Sequence, residues 1–297
     1  MKFVSFLFYS ILFTLCLIRF DRYCFKQNDG FCFRNIHSDL AYRPGWDLPS
    51  NSLPFIDDID KIFDQKFTYL NKGHQSYVFI SEDQNYVIKF YRFPSHMRAL
   101  PWLNRPLSYH LSSKRKKIKS YNLEKLDLTF QSFKLAFEEL KDQTGLVYIH
   151  LNKTHHLNRM IKIKDKLGIE YDVELDSIQF IVQKKANLLF PTLELLLAGK
   201  DHQTAKRLLS SLIELMIARS QKGIIDQDPV LERNYGIIDT SVIHIDVGRF
   251  VKNAEVTDSP EFLKQEFLKN TECLKNWLKN HDQELFDYYQ HLIENLI

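Results

Sequence analysis

Residues 207–250 read RLLSSLIELMIARSQKGIIDQDPVLERNYGIIDTSVIHIDVGRF, and this stretch decides the fold. Its first part is apolar at Leu208, Leu209, Leu212, Ile213, Leu215, Met216 and Ile217. That is too much apolar surface for one narrow stripe, so the spacing predicts a largely buried helix. Gly223 ends it, and Asp226, Asp228 and Pro229 do not easily continue it. The next apolar runs, Tyr235-Gly-Ile-Ile and Val242-Ile-His-Ile, are strand-like and are separated by the polar turn Asp239-Thr-Ser. A helix, an Asp/Asn loop and a short hairpin therefore lead to Asp246-Val247-Gly248.

This order resembles the catalytic segment of the protein-kinase-like phosphotransferases. There a helix leads into a loop carrying a base aspartate and a metal-binding asparagine, and a hairpin delivers a second metal aspartate in a DFG-type turn. Gly223–Asp228 resembles the approach to the family's H-x-D, with Asp226 at the histidine position and Asp228 at the base. Asn234 resembles the loop asparagine, and Asp246-Val247-Gly248 resembles DFG. The spacing departs from the family at one point: Asp228 and Asn234 are six positions apart, where the family has five. A one-residue insertion or a remodelled loop has to absorb the difference.

Working outward, residues 67–93 read as two or three strands, with a turn at Glu82-Asp-Gln-Asn85. Val87-Ile88-Lys89 resembles the family's V-A-I-K. Against its Gly-rich loop, Asn71, Gly73 and Ser76 fall at the glycine positions and Val78 follows them. Only Gly73 remains a glycine, so the phosphate cover is degenerate. Residues 129–142 form an amphipathic helix with Phe130, Phe133, Phe137 and Leu140 on one face. The resemblance makes this the helix whose glutamate pairs with the strand lysine; Glu139, on the shoulder of the apolar face, is preferred to Glu138. The strand-like runs Gly145–Leu151, Tyr171–Val173 and Asp176–Gln183 complete a sheet of about five strands. Lys184–Leu188 then corresponds to the lobe hinge.

The implied fold is α+β and two-lobed, a small antiparallel sheet lobe with a short helical lobe. The implied activity is ATP-dependent phosphoryl transfer. Lys89 would hold the nucleotide phosphates and Glu139 would fix Lys89. Gly73, Ser76 and Val78 would cover the nucleotide, Asn234 and Asp246 would bind Mg²⁺, and Asp228 would serve the acceptor hydroxyl. No A-P-E motif follows Asp246, and the 51 residues after it leave little room for a peptide platform. A small-molecule, lipid or sugar acceptor is therefore favoured over protein. The competing reading is a pseudokinase that binds nucleotide or partner without turnover; the lost glycines and the stretched loop support it.

Composition agrees with a globular chain. Of 297 residues 44% are hydrophobic, with 23 Phe and 14 Tyr, enough for one two-lobed domain or two small ones. A net charge of +3 is too small to suggest nucleic acid. Cys16, Cys24, Cys32 and Cys273 lack zinc spacing, and Cys24 and Cys32 would pair only if that segment were exported.

Phe3–Ile18 is free of charge and is followed by Arg19, Arg22 and Lys26. Residues 1–22 are thus expected to be an N-terminal membrane anchor or signal segment. The uncleaved anchor is preferred, with the following domain in the cytoplasm. Residues 23–60 are expected to be a juxtamembrane linker. Residues 61–186 would form the sheet lobe with a basic insertion at 94–120, and 187–297 the helical lobe. The run Lys114–Lys119 reads either as a solvated basic loop or as a contact with an anionic membrane surface.

Overall fold

The computed structural model describes residues 2–48, 56–93, 97, 109–253 and 260–294. In chain order, helices α1 (Lys2–Gln27) and α2 (Ile56–Phe63) precede strands β1 (Lys66–Lys72), β2 (Ser76–Ser81) and β3 (Tyr86–Tyr91). Helices α3 (Tyr109–Glu139) and α4 (Lys141–Thr144) lead to β4 (Leu146–His150), β5 (Met160–Lys164), β6 (Glu170–Glu174), β7 (Phe180–Lys184) and β8 (Asn187–Leu188). Then come α5 (Leu189–Ala198), α6 (His202–Gln221), β9 (Ile224–Asp226), α7 (Leu231–Asn234), β10 (Tyr235–Ile238), β11 (Ser241–His244) and β12 (Phe250–Lys252). Helices α8 (Pro260–Asn270), α9 (Glu272–His281) and α10 (Gln283–Glu294) follow. The fold is mixed α+β, and the chain divides into two compact units: residues 1–42, 56–115 and 152–180, and residues 43–55, 116–151 and 181–297.

The first unit is built on the strand order β3-β2-β1-β5-β6. All neighbours are antiparallel except β1 and β5, and the β1–β2 register slips between Tyr69 and Asn71. Alternation buries Tyr77 and Phe79 of β2 and Ile161 and Ile163 of β5 on one side. Residues of the expected linker pack into this core: Phe31, Asn35 and Ile36 are buried. Phe31 packs edge-on against Tyr77, Phe79 and Tyr171 at centroid distances of 5.1, 5.4 and 5.8 Å. Asn35 Nδ2 donates to Gly30 O at 3.1 Å and to Tyr77 Oη at 3.3 Å.

The second unit centres on α6, which buries Leu208, Leu209, Leu212, Ile213, Leu215 and Met216 against α5, α9 and α10. Asp201 caps the helix, accepting from Thr204 N at 3.0 Å. Gly223, at φ +67°, turns the chain out of it. Strands β8, β10 and β11 form a three-stranded sheet, and β9 pairs with β12. The residues before α2 also join this unit: Trp46 is buried, and its Nε1 donates to Asp127 of α3 at 2.7 Å.

Two expectations change. The basic run 114–119 is helical, part of the first half of α3 rather than a loop; Lys117 is exposed, and the other basic side chains of the run lie outside the described residues. The N-terminal anchor is a helix, α1, but among the described residues no helix is long and apolar enough to cross a membrane. Arg19, Asp21, Arg22 and Lys26 occupy its last third, and the uncharged run before them is shorter than the roughly 20 residues a span needs.

Candidate functional site

From α6 the chain turns at Gly223, runs through β9 and enters the loop at Asp226. Asp226 Oδ1 accepts the backbone N–H of Asp228 at 3.0 Å, a local turn of the kind short carboxylates favour. Asn234 is buried, and its Nδ2 donates to the carbonyl of Asp228 at 2.6 Å. The loop between them is a single helical turn: Val230 N donates to Asp228 O at 2.8 Å, and Asn234 N to Val230 O at 2.9 Å. That turn, α7, absorbs the sixth position.

The hairpin then returns as its sequence predicts. Tyr235 pairs with His244 and Ile238 with Ser241, with Asp239 at φ +55° in the two-residue connection. Ile245 N donates to Asn234 O at 2.8 Å, so Asn234 and Asp246 stand at the same open end of the hairpin. Asp246 is exposed, and its Oδ1 accepts a long bond from Gly248 N at 3.4 Å. Helix α3 braces the turn. The Ser132 hydroxyl donates to Val247 O and accepts from Phe250 N.

Beneath the loop lies a buried polar cluster. Arg219 is fully buried; its Nη2 donates to Glu266 at 2.8 Å, and its Nη1 stands 3.9 Å from Asp226 Oδ2. Burial pushes the Asp226 carboxyl up to about 6; the Asp228 N–H bond and Arg219 oppose the rise, and the charges of Asp228 and Asp246 add to it. His244 is fully buried between the rings of Tyr235 and Phe250, at 4.4 and 5.1 Å. Burial, helped by Arg219, holds its imidazole well below its usual range, so it is neutral.

The other candidates divide between the units. In the first, Lys89 lies half-buried on β3 opposite Val78. Gly73 N closes the β1–β2 turn onto Ser76 O at 2.9 Å. In the second, Glu139 is the last residue of α3. Its carboxylate is held by Lys252, and its carbonyl by Lys222. Glu138 is exposed. Among the described residues no group of three or more His, Cys, Asp or Glu side chains could hold a metal ion.

No family model matches the chain. No curated protein matches it. Among solved structures it is similar to WbdD. A co-crystal structure of WbdD with the kinase inhibitor LY294002 aligns at 15% identity and a TM-score of 0.35, covering 77% of this chain and 45% of that one. A second WbdD crystal structure gives 16% identity, the same coverage and 0.35. A structure of the bifunctional kinase-methyltransferase WbdD gives 15%, 75% and 42% coverage, and 0.31. The chain thus spans less than half the length of the WbdD chains it matches.

Sequence reasoning missed Arg219, Glu266, Ser132 and the β9–β12 pairing. The pairing had a signal in the apolar pairs Ile224-Ile225 and Phe250-Val251 on either side of the loop. The arginine had one too: a charge inside a run otherwise read as buried.

Proposed function

We propose that this protein is a protein-kinase-like phosphotransferase using ATP with Mg²⁺. One observation carries the reading: the Asn234 amide is bonded to the Asp228 carbonyl while the Asn234 backbone is bonded to Ile245, one residue before Asp246. The three residues that resemble the family's base and metal ligands are thereby tied into one connected element. The Asn234 carboxamide oxygen makes no hydrogen bond among the described residues, and the Asp246 carboxylate makes one weak one. Both are hard oxygen donors that suit Mg²⁺. The metal, bound with nucleotide, would supply charge neutralisation at the phosphates. Asp228, half-exposed beside Arg233 at 3.5 Å, is free to face an acceptor hydroxyl and take its proton. Lys89 would hold the nucleotide phosphates, and Gly73, Ser76 and Val78 would cover them. The acceptor would be a small molecule or a lipid or sugar group.

Helix α1 exposes Phe6, Leu7, Phe8, Ile11, Phe13 and further apolar side chains. We read it as the tether that holds the protein at a membrane, with the basic run at 114–119 as a secondary contact to anionic lipid.

The second reading, a pseudokinase, has Glu139 in its favour: its carboxylate is engaged by Lys252 of β12. A thermal shift titration with Mg²⁺ and ATP tests nucleotide binding, and ATP consumption with a pool of small hydroxyl acceptors tests turnover. Binding with turnover supports the phosphotransferase, binding alone supports the pseudokinase, and no binding rejects both.

A further inference from the structure

A fully buried arginine is an expensive way to fill a core, because hydrophobic side chains of similar volume often do as well or better. Arg219 stands in the last turn of α6, four positions before Gly223, where the buried helix hands the chain to the loop. Its guanidinium reaches two acids from different elements: Glu266 of α8 at 2.8 Å through Nη2, and Asp226 of β9 at 3.9 Å through Nη1. A planar fork with donors in two directions can do this, and a lysine ammonium on one flexible stem cannot do it equally well. The same guanidinium lies 6.0 Å from the centre of the Phe250 ring, and Phe250 is the residue paired with Asp226 across β12 and β9. Arg219 therefore sits under the place where the loop leaves the ladder.

The two oxygens of Asp226 face different partners. Oδ2 faces Arg219, and Oδ1 accepts the N–H of Asp228 at 3.0 Å. At 3.9 Å the Arg219 contact is electrostatic and makes no hydrogen bond, so it acts by attraction: a planar, short carboxylate whose Oδ2 is drawn to the guanidinium presents Oδ1 to the loop. We propose that Arg219 is a positioning residue, locked by Glu266, that orients Asp226 so that Asp226 in turn sets where Asp228 stands. Asn234 completes the hold from the far side by donating to the Asp228 carbonyl. The placement of Asp228 follows from this geometry alone; its consequence for turnover rests on the phosphotransferase reading above.

The test is amide hydrogen exchange in the full chain, comparing wild type with Arg219→Met. The expected result is a rise of about tenfold or more in exchange over residues 226–234, with residues 208–216 within about twofold of wild type. Unchanged exchange in the loop overturns the proposal, and so does an equal rise in both segments, which is the mark of a merely structural arginine. If Arg219→Met does not fold, Glu266→Gln carries the same comparison, because it unlocks the guanidinium from the other end. A rise of about threefold or more confined to the loop is expected there, and none overturns the proposal. In an active protein, Arg219→Met lowers kcat for ATP consumption about tenfold or more and leaves KM for ATP within about twofold. A wild type that consumes no ATP sinks the phosphotransferase reading, while the exchange comparison still decides the role of Arg219.

Discussion

At the residue scale, the proposed function gives two aspartates, Asp228 and Asp246, different work. Asp228 is half-exposed, its backbone is held at both ends, and among the described residues its carboxylate meets the exposed Arg233. Asp228→Asn should lower transfer by about 10²–10⁴-fold, the usual size of general-base catalysis, and leave Mg²⁺-dependent nucleotide affinity nearly intact. Asp246→Asn should instead weaken that affinity, because under the proposed function it would replace a carboxylate ligand with a neutral amide. Steady-state kinetics beside a binding titration separates the two; equal losses of affinity in both variants refute the division. Asp226 makes a different prediction. One buried arginine faces two carboxylates, and Glu266 is the closer, so Asp226 is the surplus negative charge. Its folded pKa, at about 6, lies above the ordinary aspartate value of 3.8, so the folded state binds the proton more tightly. Its contribution to stability is fully present below the unfolded pKa and is lost as pH rises from about 4 through about 6. The stability of wild type relative to Asp226→Asn should therefore fall by on the order of 2–3 kcal/mol across that window. Denaturant unfolding at several pH values measures it, and a difference that is flat with pH counts against the assignment.

At the element scale, the hairpin and the helix before it were legible because their patterns are local. Seven apolar positions in α6, a glycine at its exit and two strand-like runs around a polar turn each act within a few residues. Two features were harder to read here. One was α7, which depends on Asn234 reaching back to Asp228. The other was the β9–β12 ladder, which joins segments more than twenty residues apart and has only three pairs to announce it. Glu139 shows the same limit: its face on α3 was visible, but its partner Lys252 lies on a strand over a hundred residues away. Gly236 offers an element-scale test. It lies in β10 between β8 and β11, and a Cβ added there would stand 2.8 Å from Ala186 Cβ, 2.9 Å from Ile245 Cγ2 and 3.1 Å from Asn187 O. Two of these neighbours belong to backbone or to a side chain too short to move aside. Gly236→Ala should cost about 1–3 kcal/mol, the range for overpacking, and should disturb the end of the hairpin that carries Asp246. A melting temperature equal to wild type would show that the three strands spread without cost.

At the scale of the whole molecule, α1 stands apart from every other helix. Phe6, Leu7, Phe8 and Tyr9 are consecutive and all more than half exposed, so the apolar surface runs round the helix rather than along one stripe. Among the described residues thirteen large apolar or aromatic side chains of α1 are exposed, ten of them by more than half, from Phe6 to Phe25. Moving even part of that surface out of water is worth on the order of 10 kcal/mol, more than most surface ion pairs together. In the proposed tether the basic residues at its end, Arg19, Arg22 and Lys26, which outnumber Asp21, would suit the headgroup region. The packed part of the chain begins just after, where Asn28 donates to buried Asp165 at 2.8 Å and Phe31 enters the aromatic core. A cut after residue 22 therefore removes most of the apolar surface without touching those contacts. Full-length protein should stay in the membrane pellet through high-salt and carbonate washes, and the protein lacking residues 1–22 should be released. Any remaining attraction from the basic run at 114–119 acts over a Debye length of about 10 Å at 0.1 M salt, so it should fade as salt rises while the apolar contribution does not. A full-length protein that leaves the membrane in carbonate, or a truncated one that stays there in high salt, would remove α1 from this role.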